Sequence, residues 1–168
     1  EPHLLVEGWA RRLLMKCFAL VVILHAAKDI YEREGANFEE KILVAPDGVS
    51  LKDFTLGVSK VEARKKLGLS EDKKLIIYTG YFYQWKGIDA LIEAAQYFKP
   101  NENLVLVGGS EEDIARVKKV ADQFNLTNIN IIGHRPYEEM AWYQRAADCL
   151  VVTTKAGIER EHFFTSPL

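Results

Sequence analysis

The stretch Gly80-Tyr81-Phe82-Tyr83-Gln84-Trp85-Lys86-Gly87 places a lysine just ahead of an expected helix start, at the end of an aromatic loop bounded by glycines. A cation is mildly unfavourable beside the positive end of a helix dipole, so the position makes best sense if an anion lies there too. Glycine lets backbone approach a ligand closely, and an ammonium supplies a point charge suited to a diphosphate. The plainer alternative is a solvated lysine at a helix start. Gly108-Gly109, ahead of another expected helix, suits a ribose or phosphate, although turn chemistry accounts for a lone glycine pair about as well. Gly133-His134-Arg135-Pro136 offers backbone groups and a guanidinium near a third helix start. It fits base or phosphate recognition, or else Arg135 simply pairs with Glu138 or Glu139.

The remaining reactive side chains carry less. Glu159 and Glu161 follow the last expected strand on the same side as these loops, where a solvated loop is the default reading. His25 at a strand end reads as a structural histidine. The histidines and cysteines are scattered without the spacing of a zinc site, so no metal is expected. No residue is assigned as catalytic.

These loops need elements to hold them, and from residue 70 onward short β-branched runs alternate with amphipathic stretches, the pattern of βαβ units around a parallel sheet. Strands are expected at Leu75–Thr79, Leu104–Val107, Ile129–Ile132 and Cys149–Val152. Helices are expected at Ile88–Phe98, from Ser110 as N-cap to about Phe124, and at Glu138–Ala147. In such a sheet ligands bind beyond the carboxyl ends of the strands, where loops converge with helix N-termini. The candidate site is therefore a row: Gly80, Gly108-Gly109, Gly133 and Thr153-Thr154. Ahead of it, Lys41–Ala45 reads as a strand, Pro46–Val49 as a turn, and Ser59–Leu67 as a helix ended by Gly68. Residues 1 to 35 read as a helix, a strand at Ala19–Leu24 and a helix from about Ala26 to Glu34. They are either another unit of the same sheet or the end of a different domain.

Composition narrows the function classes. The 168 residues are 48% hydrophobic and carry a formal charge of -2 from 22 basic and 24 acidic residues spread along the chain. That suits a folded domain and argues against general nucleic-acid binding, which needs a basic field. Arg11 to Leu24 resembles a signal peptide, but Lys16 interrupts the apolar run, which is far short of the roughly 20 residues that span a bilayer. Cys17 and Cys149 lie in apolar runs as small hydrophobes, so a reducing compartment is expected. The chain opens with Glu1 and stops at Leu168 without a closing helix, so a piece of a longer protein is expected.

Taken in order, these motifs resemble a known pattern. Pro46-Asp47-Gly48-Val49, Tyr78-Thr79-Gly80, Lys86-Gly87-Ile88-Asp89, Leu106-Val107-Gly108-Gly109, Ile132-Gly133-His134, Ala146-Ala147-Asp148 and Phe164-Thr165-Ser166-Pro167-Leu168 are similar to the retaining glycosyltransferases with two facing Rossmann-like domains (family 4, group 1). The resemblance runs from about residue 17 to the end. It implies an α/β fold, a Rossmann-like parallel sheet with helices on both faces, as in the incomplete carboxy-terminal domain of a GT-B enzyme. Residues 41–168 would be this nucleotide-sugar-binding domain, and 1–40 the tail of the acceptor-binding domain. The implied substrates are a nucleotide-diphosphate sugar and a sugar, glycan or lipid-linked acceptor, with no separate cofactor. The implied donor contacts are Gly80, Tyr81, Lys86 on the diphosphate, Gly108, Gly109, Gly133, His134 and Arg135 by the base, and Ser166. The family also implies a cytoplasmic location, with any contact with a membrane surface made by the amino-terminal domain. Tyr81 departs from the pattern, since many relatives carry arginine there, and Phe164 stands where they place the first of two glutamates. The isolated chain is expected to lack turnover. Rival readings are a sugar-nucleotide epimerase of the same fold and a non-catalytic nucleotide-binding module.

Overall fold

The computed structural model describes residues 16–33 and 41–155. Ser166, Phe164, Glu159, Glu161 and the first expected helix fall outside them. Contacts divide the chain into two compact units, the larger spanning Ser50–Ala156 and the smaller holding the residues up to Val49.

In the smaller unit, β1 (Leu20–Val22) and β2 (Ile42–Val44) pair in parallel, joined through α1 (His25–Arg33). Val22, Ala27 and Ile42 bury themselves between strand and helix. Both strands are shorter than the apolar runs that announced them, and they form a sheet of their own. The strand Ile42–Val44, drawn with the second domain from sequence, thus pairs with Leu20–Val22 on the near side of the division. Residues 45–50 carry no regular structure where a turn was expected.

The larger unit begins with a single turn, α2 (Leu51–Phe54), followed by α3 (Lys60–Leu67). Ser59 starts α3 with a capping box shared with Glu62, and Gly68 ends it in the left-handed conformation. Next come β3 (Lys74–Thr79), α4 (Ile88–Ala94), β4 (Glu102–Val107), α5 (Glu111–Gln123), β5 (Ile129–Ile132), α6 (Tyr137–Ala146) and β6 (Cys149–Leu150). The α4 helix tightens to a 3-10 turn at Ala95–Tyr97 before Pro100, where the sequence pattern ran on to Phe98.

All four strands are parallel in the order β5-β4-β3-β6. Side chains alternate across this sheet, which is why its strands read as unbroken apolar runs. Leu104, Leu106 and Tyr78 pack under α4 and α5 with Ile88, Ile92 and Val117. Val105, Val107, Leu75 and Ile77 pack on the other face under α3 and α6 with Ala63, Tyr143 and Ala146.

The chain steps from β3 to β4 to β5 in one direction and then crosses back to place β6 on the far side of β3. The winding therefore reverses between β3 and β6. The fourth strand is only two residues long, and its Cys149 is exposed rather than buried, because it sits on an edge with one strand neighbour among the described residues. Cys17 is exposed as well, against the sequence expectation of a buried thiol.

Candidate functional site

The rim at the carboxyl ends of the strands is knitted together by its glycines. The Gly80 N–H donates to the Val107 carbonyl at 2.9 Å, and the Gly108 N–H to the Ile132 carbonyl at 3.0 Å. Neighbouring turns thus touch through bare backbone. At Gly108 (φ +123°) a Cβ would overlap the Gly80 carbonyl, and at Gly109 (φ +75°) it would strike the Phe82 ring. Packing alone accounts for this glycine pair.

Phe82 is fully buried and anchors the loop after β3. Its neighbours are fixed by side chains that the sequence reading missed. The Tyr78 hydroxyl donates to the Tyr81 carbonyl at 2.9 Å, and burial of that phenol pushes its pKa up to about 12. Arg116 on α5 donates to the Phe82 carbonyl at 2.6 Å and pairs with Asp89 on α4. Only the helical position of Arg116, on the stripe next to buried Val117, hinted that it faces this loop.

With Phe82 turned in, the alternate residues turn out. The rings of Tyr81 and Tyr83 stack 5.1 Å apart at 12°, and those of Tyr83 and Trp85 5.9 Å apart at 21°. Lys86 follows in the 3-10 turn Gln84–Lys86, its ammonium 4.3 Å from the Trp85 ring centre. The turn is tied to the segment after β6: the Thr153 hydroxyl donates to the Lys86 carbonyl at 2.5 Å, and the Lys155 N–H to the Trp85 carbonyl at 2.9 Å. Lys86 therefore sits where the winding of the sheet reverses. Burial lowers its pKa, and among the described residues no carboxylate pairs with it.

A cleft of about 380 Å³ opens at the other end of the aromatic row, lined by Tyr81, Tyr83, Gly109, Ser110, Asp113 and His134. The structure thus gathers Tyr81, Gly109 and His134 around one hollow, with Gly80, Gly108 and Gly133 in the turns behind it. Lys86 is outside that lining, at the far end of the row. Arg135 directly precedes Pro136, the residue that begins α6. It is exposed and lies close enough to Tyr143 to oppose the upward push of burial on that phenol's pKa, while Glu139 adds to the push. It forms no ion pair with Glu138 or Glu139. Ser110 and Asp113 close a reciprocal capping box at the start of α5. A second hollow of about 420 Å³ lies at the amino ends of the strands, by Lys73, Pro100 and Asn128, away from the glycine turns. Among the described residues no group of histidine, cysteine and carboxylate side chains is arranged to hold a metal, and no helix is long and apolar enough to cross a membrane.

Residues 59–168 match the family described as glycosyl transferases group 1. The chain belongs to that family. It is 31% identical over 137 residues to a D-inositol 3-phosphate glycosyltransferase of Xylanimonas cellulosilytica, covering 75% of the chain and 32% of that relative. The chain thus spans about a third of the length of this group 1 relative. Its fold matches sucrose-phosphate synthase of Thermosynechococcus elongatus at a TM-score of 0.70 and 27% identity, covering 84% of the chain and 36% of that structure. It matches Anabaena HepE, solved in complex with UDP-glucose, at a TM-score of 0.73 and 19% identity, covering 87% and 41%. The parallel sheet with helices on both faces is the Rossmann-like layer of GT-B glycosyltransferases.

Proposed function

We propose that this group 1 chain carries the donor-binding part of a glycosyltransferase that moves a sugar from a nucleotide-diphosphate sugar to a sugar, glycan or lipid-linked acceptor. The observation that carries the reading is Lys86: a partly buried lysine with no carboxylate partner among the described residues, at the reversal point of an open parallel sheet. Taking a cation partly out of water without a counter-charge is unfavourable, and a bound diphosphate supplies that charge. Transfer breaks the bond between the anomeric carbon and the diphosphate, and negative charge develops on the leaving oxygen. An ammonium held in place beforehand stabilises that charge more in the transition state than in the bound substrate. The donor is a substrate and no separate cofactor takes part. Retention of configuration, a cytoplasmic setting and membrane contact through a further domain follow from the resemblance stated above.

Titration calorimetry with nucleoside diphosphates tests the reading. Lys86→Ala is expected to weaken binding by about 1.5–3 kcal/mol, the worth of a charge-assisted contact, or roughly 10- to 150-fold. Equal affinity of the variant and the parent rejects the role. The pH dependence has a defined sign: Lys86 binds as the ammonium, and its pKa is lowered by burial. Affinity is therefore lost on the alkaline side beginning at a lower pH than an ordinary lysine would give, and Lys86→Ala removes that limb.

A further inference from the structure

Thr153-Thr154 closes the row of residues beyond the strand ends, yet it is not among those expected to touch the donor. Thr153 follows β6 and lies half-buried against the 3-10 turn that carries Lys86. The contacts fall on three residues in succession. The Trp85 carbonyl accepts the Lys155 N–H at 2.9 Å, and the Lys86 carbonyl accepts the Thr153 hydroxyl at 2.5 Å. At Gly87 (φ +68°) an added Cβ would lie 3.2 Å from both the Thr154 carbonyl carbon and the Lys155 nitrogen.

A 3-10 turn this short holds itself weakly, because its hydrogen-bond geometry is poor. Its own bonds use the Tyr83 and Gln84 carbonyls, which accept from Lys86 and Gly87, and the Gly87 carbonyl is taken by Leu91 in α4. The carbonyls left over are those of Trp85 and Lys86, and both are met from the segment after β6. The loop is therefore held at two points by side chains from two other elements. Arg116, on the helix that follows β4, fixes the Phe82 carbonyl, and Thr153, after β6, fixes that of Lys86. An ammonium rides on a long flexible stem, so a shift of the Lys86 peptide carries the charge with it. Stabilising a leaving diphosphate depends on charge that is in place before the reaction.

We infer that Thr153 is a positioning residue for the donor diphosphate: its hydroxyl holds the Lys86 peptide and so sets where the Lys86 ammonium stands. The inference rests on the donor-binding reading above and assigns Thr153 no contact with the donor itself.

The test measures binding of inorganic pyrophosphate, UDP, GDP and ADP by calorimetry. It uses the parent chain, Thr153→Val, Thr153→Ser, Lys86→Ala and the double variant of Thr153→Val with Lys86→Ala. Valine keeps the branched shape and removes the donor hydroxyl. It is expected to weaken pyrophosphate, and each nucleotide that the parent binds, about 2- to 10-fold, the range of one neutral hydrogen bond. Thr153→Ser keeps the hydroxyl and the parent affinity. In the Lys86→Ala background Thr153→Val adds no further loss, because a residue that acts through Lys86 has nothing left to position. Thr153→Ala takes the place of Thr153→Val if valine prevents folding. The inference is overturned if Thr153→Val binds like the parent, or if Thr153→Ser loses as much as Thr153→Val. It also falls if Thr153→Val costs as much in the Lys86→Ala background as in the parent, which marks a purely structural role. Unchanged binding in Lys86→Ala, or no binding of any probe by the parent, rejects the donor reading, and the inference with it.

Discussion

Asp148→Ala is expected to destabilise the larger unit by about 3 kcal/mol, the lower end of the cost of stripping one partner from a buried ion pair. Arg64 is the one buried charged side chain among the described residues, at 4% exposure. Its guanidinium donates to the carbonyls of Ala146, Glu71 and Lys73, and its counter-charge among the described residues is Asp148 Oδ2 at 2.5 Å. The same oxygen accepts the Leu75 N–H at 2.7 Å, and Oδ1 accepts from Lys60. One carboxylate thus ties the starts of α3 and β3 to the end of α6. Alanine leaves a dry cation and an orphaned N–H at the first turn of the central strand. Urea unfolding measures the loss, with a melting temperature roughly 10 °C or more lower. Arg64→Met combined with Asp148→Leu is expected to cost less than Asp148→Ala alone, since it removes the charge that would be stranded. A double variant no better than the single one rejects this account.

The same network fixes a pH dependence. Burial pushes the Asp148 carboxyl up, but the bonds from Lys60, the Leu75 N–H and Arg64 outweigh it and hold the group well below the usual carboxylate range. A depressed folded pKa means that the unfolded chain takes up its proton first as the pH falls. The contribution is therefore whole above the ordinary value of 3.8 and is lost progressively below it. Asp148→Ala flattens that part of the stability profile.

Periodicity made most of the larger unit legible, because each buried run there is long and closed by a breaker. Leu104–Val107 before Gly108-Gly109, and Ser110 before an acidic turn, each state an element and its end. The ends failed where tertiary pairing decides length. Cys149–Val152 reads like any core strand, yet only two of its residues pair, since strand neighbours set the extent of a strand. Ile42–Val44 is another such case: its apolar letters announce a strand without naming its partner. At the site, the glycine row and Lys86 follow from composition and spacing. The roles of Tyr78 and Arg116 do not, because both act on backbone carbonyls of a loop, and a carbonyl leaves no letter in the sequence. Tyr81, Tyr83 and Trp85 were visible as aromatic residues at alternate positions, but their stacking depends on Phe82 turning inward, which Gly109 permits.

Gly108→Ala tests how tightly its glycines draw that rim together. The φ of +123° is one that L side chains rarely adopt, and the new methyl would overlap the Gly80 carbonyl, a backbone atom that no rotamer change can move. Strain of about 1–3 kcal/mol and overpacking of a similar size, about 1–3 kcal/mol, together make a loss of about 2–6 kcal/mol. Relief requires the ends of β3 and β4 to separate, which breaks the bonds from Gly80 to Val107 and from Gly108 to Ile132. The loop carrying Tyr81 and Lys86 leaves from Gly80, so nucleotide binding should fall even at temperatures where the variant stays folded. Gly48→Ala is the control, having open space around the added Cβ and no left-handed φ, and should stay within about 0.5 kcal/mol of the parent. A Gly108→Ala variant that melts and binds like the parent would show that the turns at Gly80 and Gly108 do not meet as closely as the overlap at the Gly108 Cβ requires.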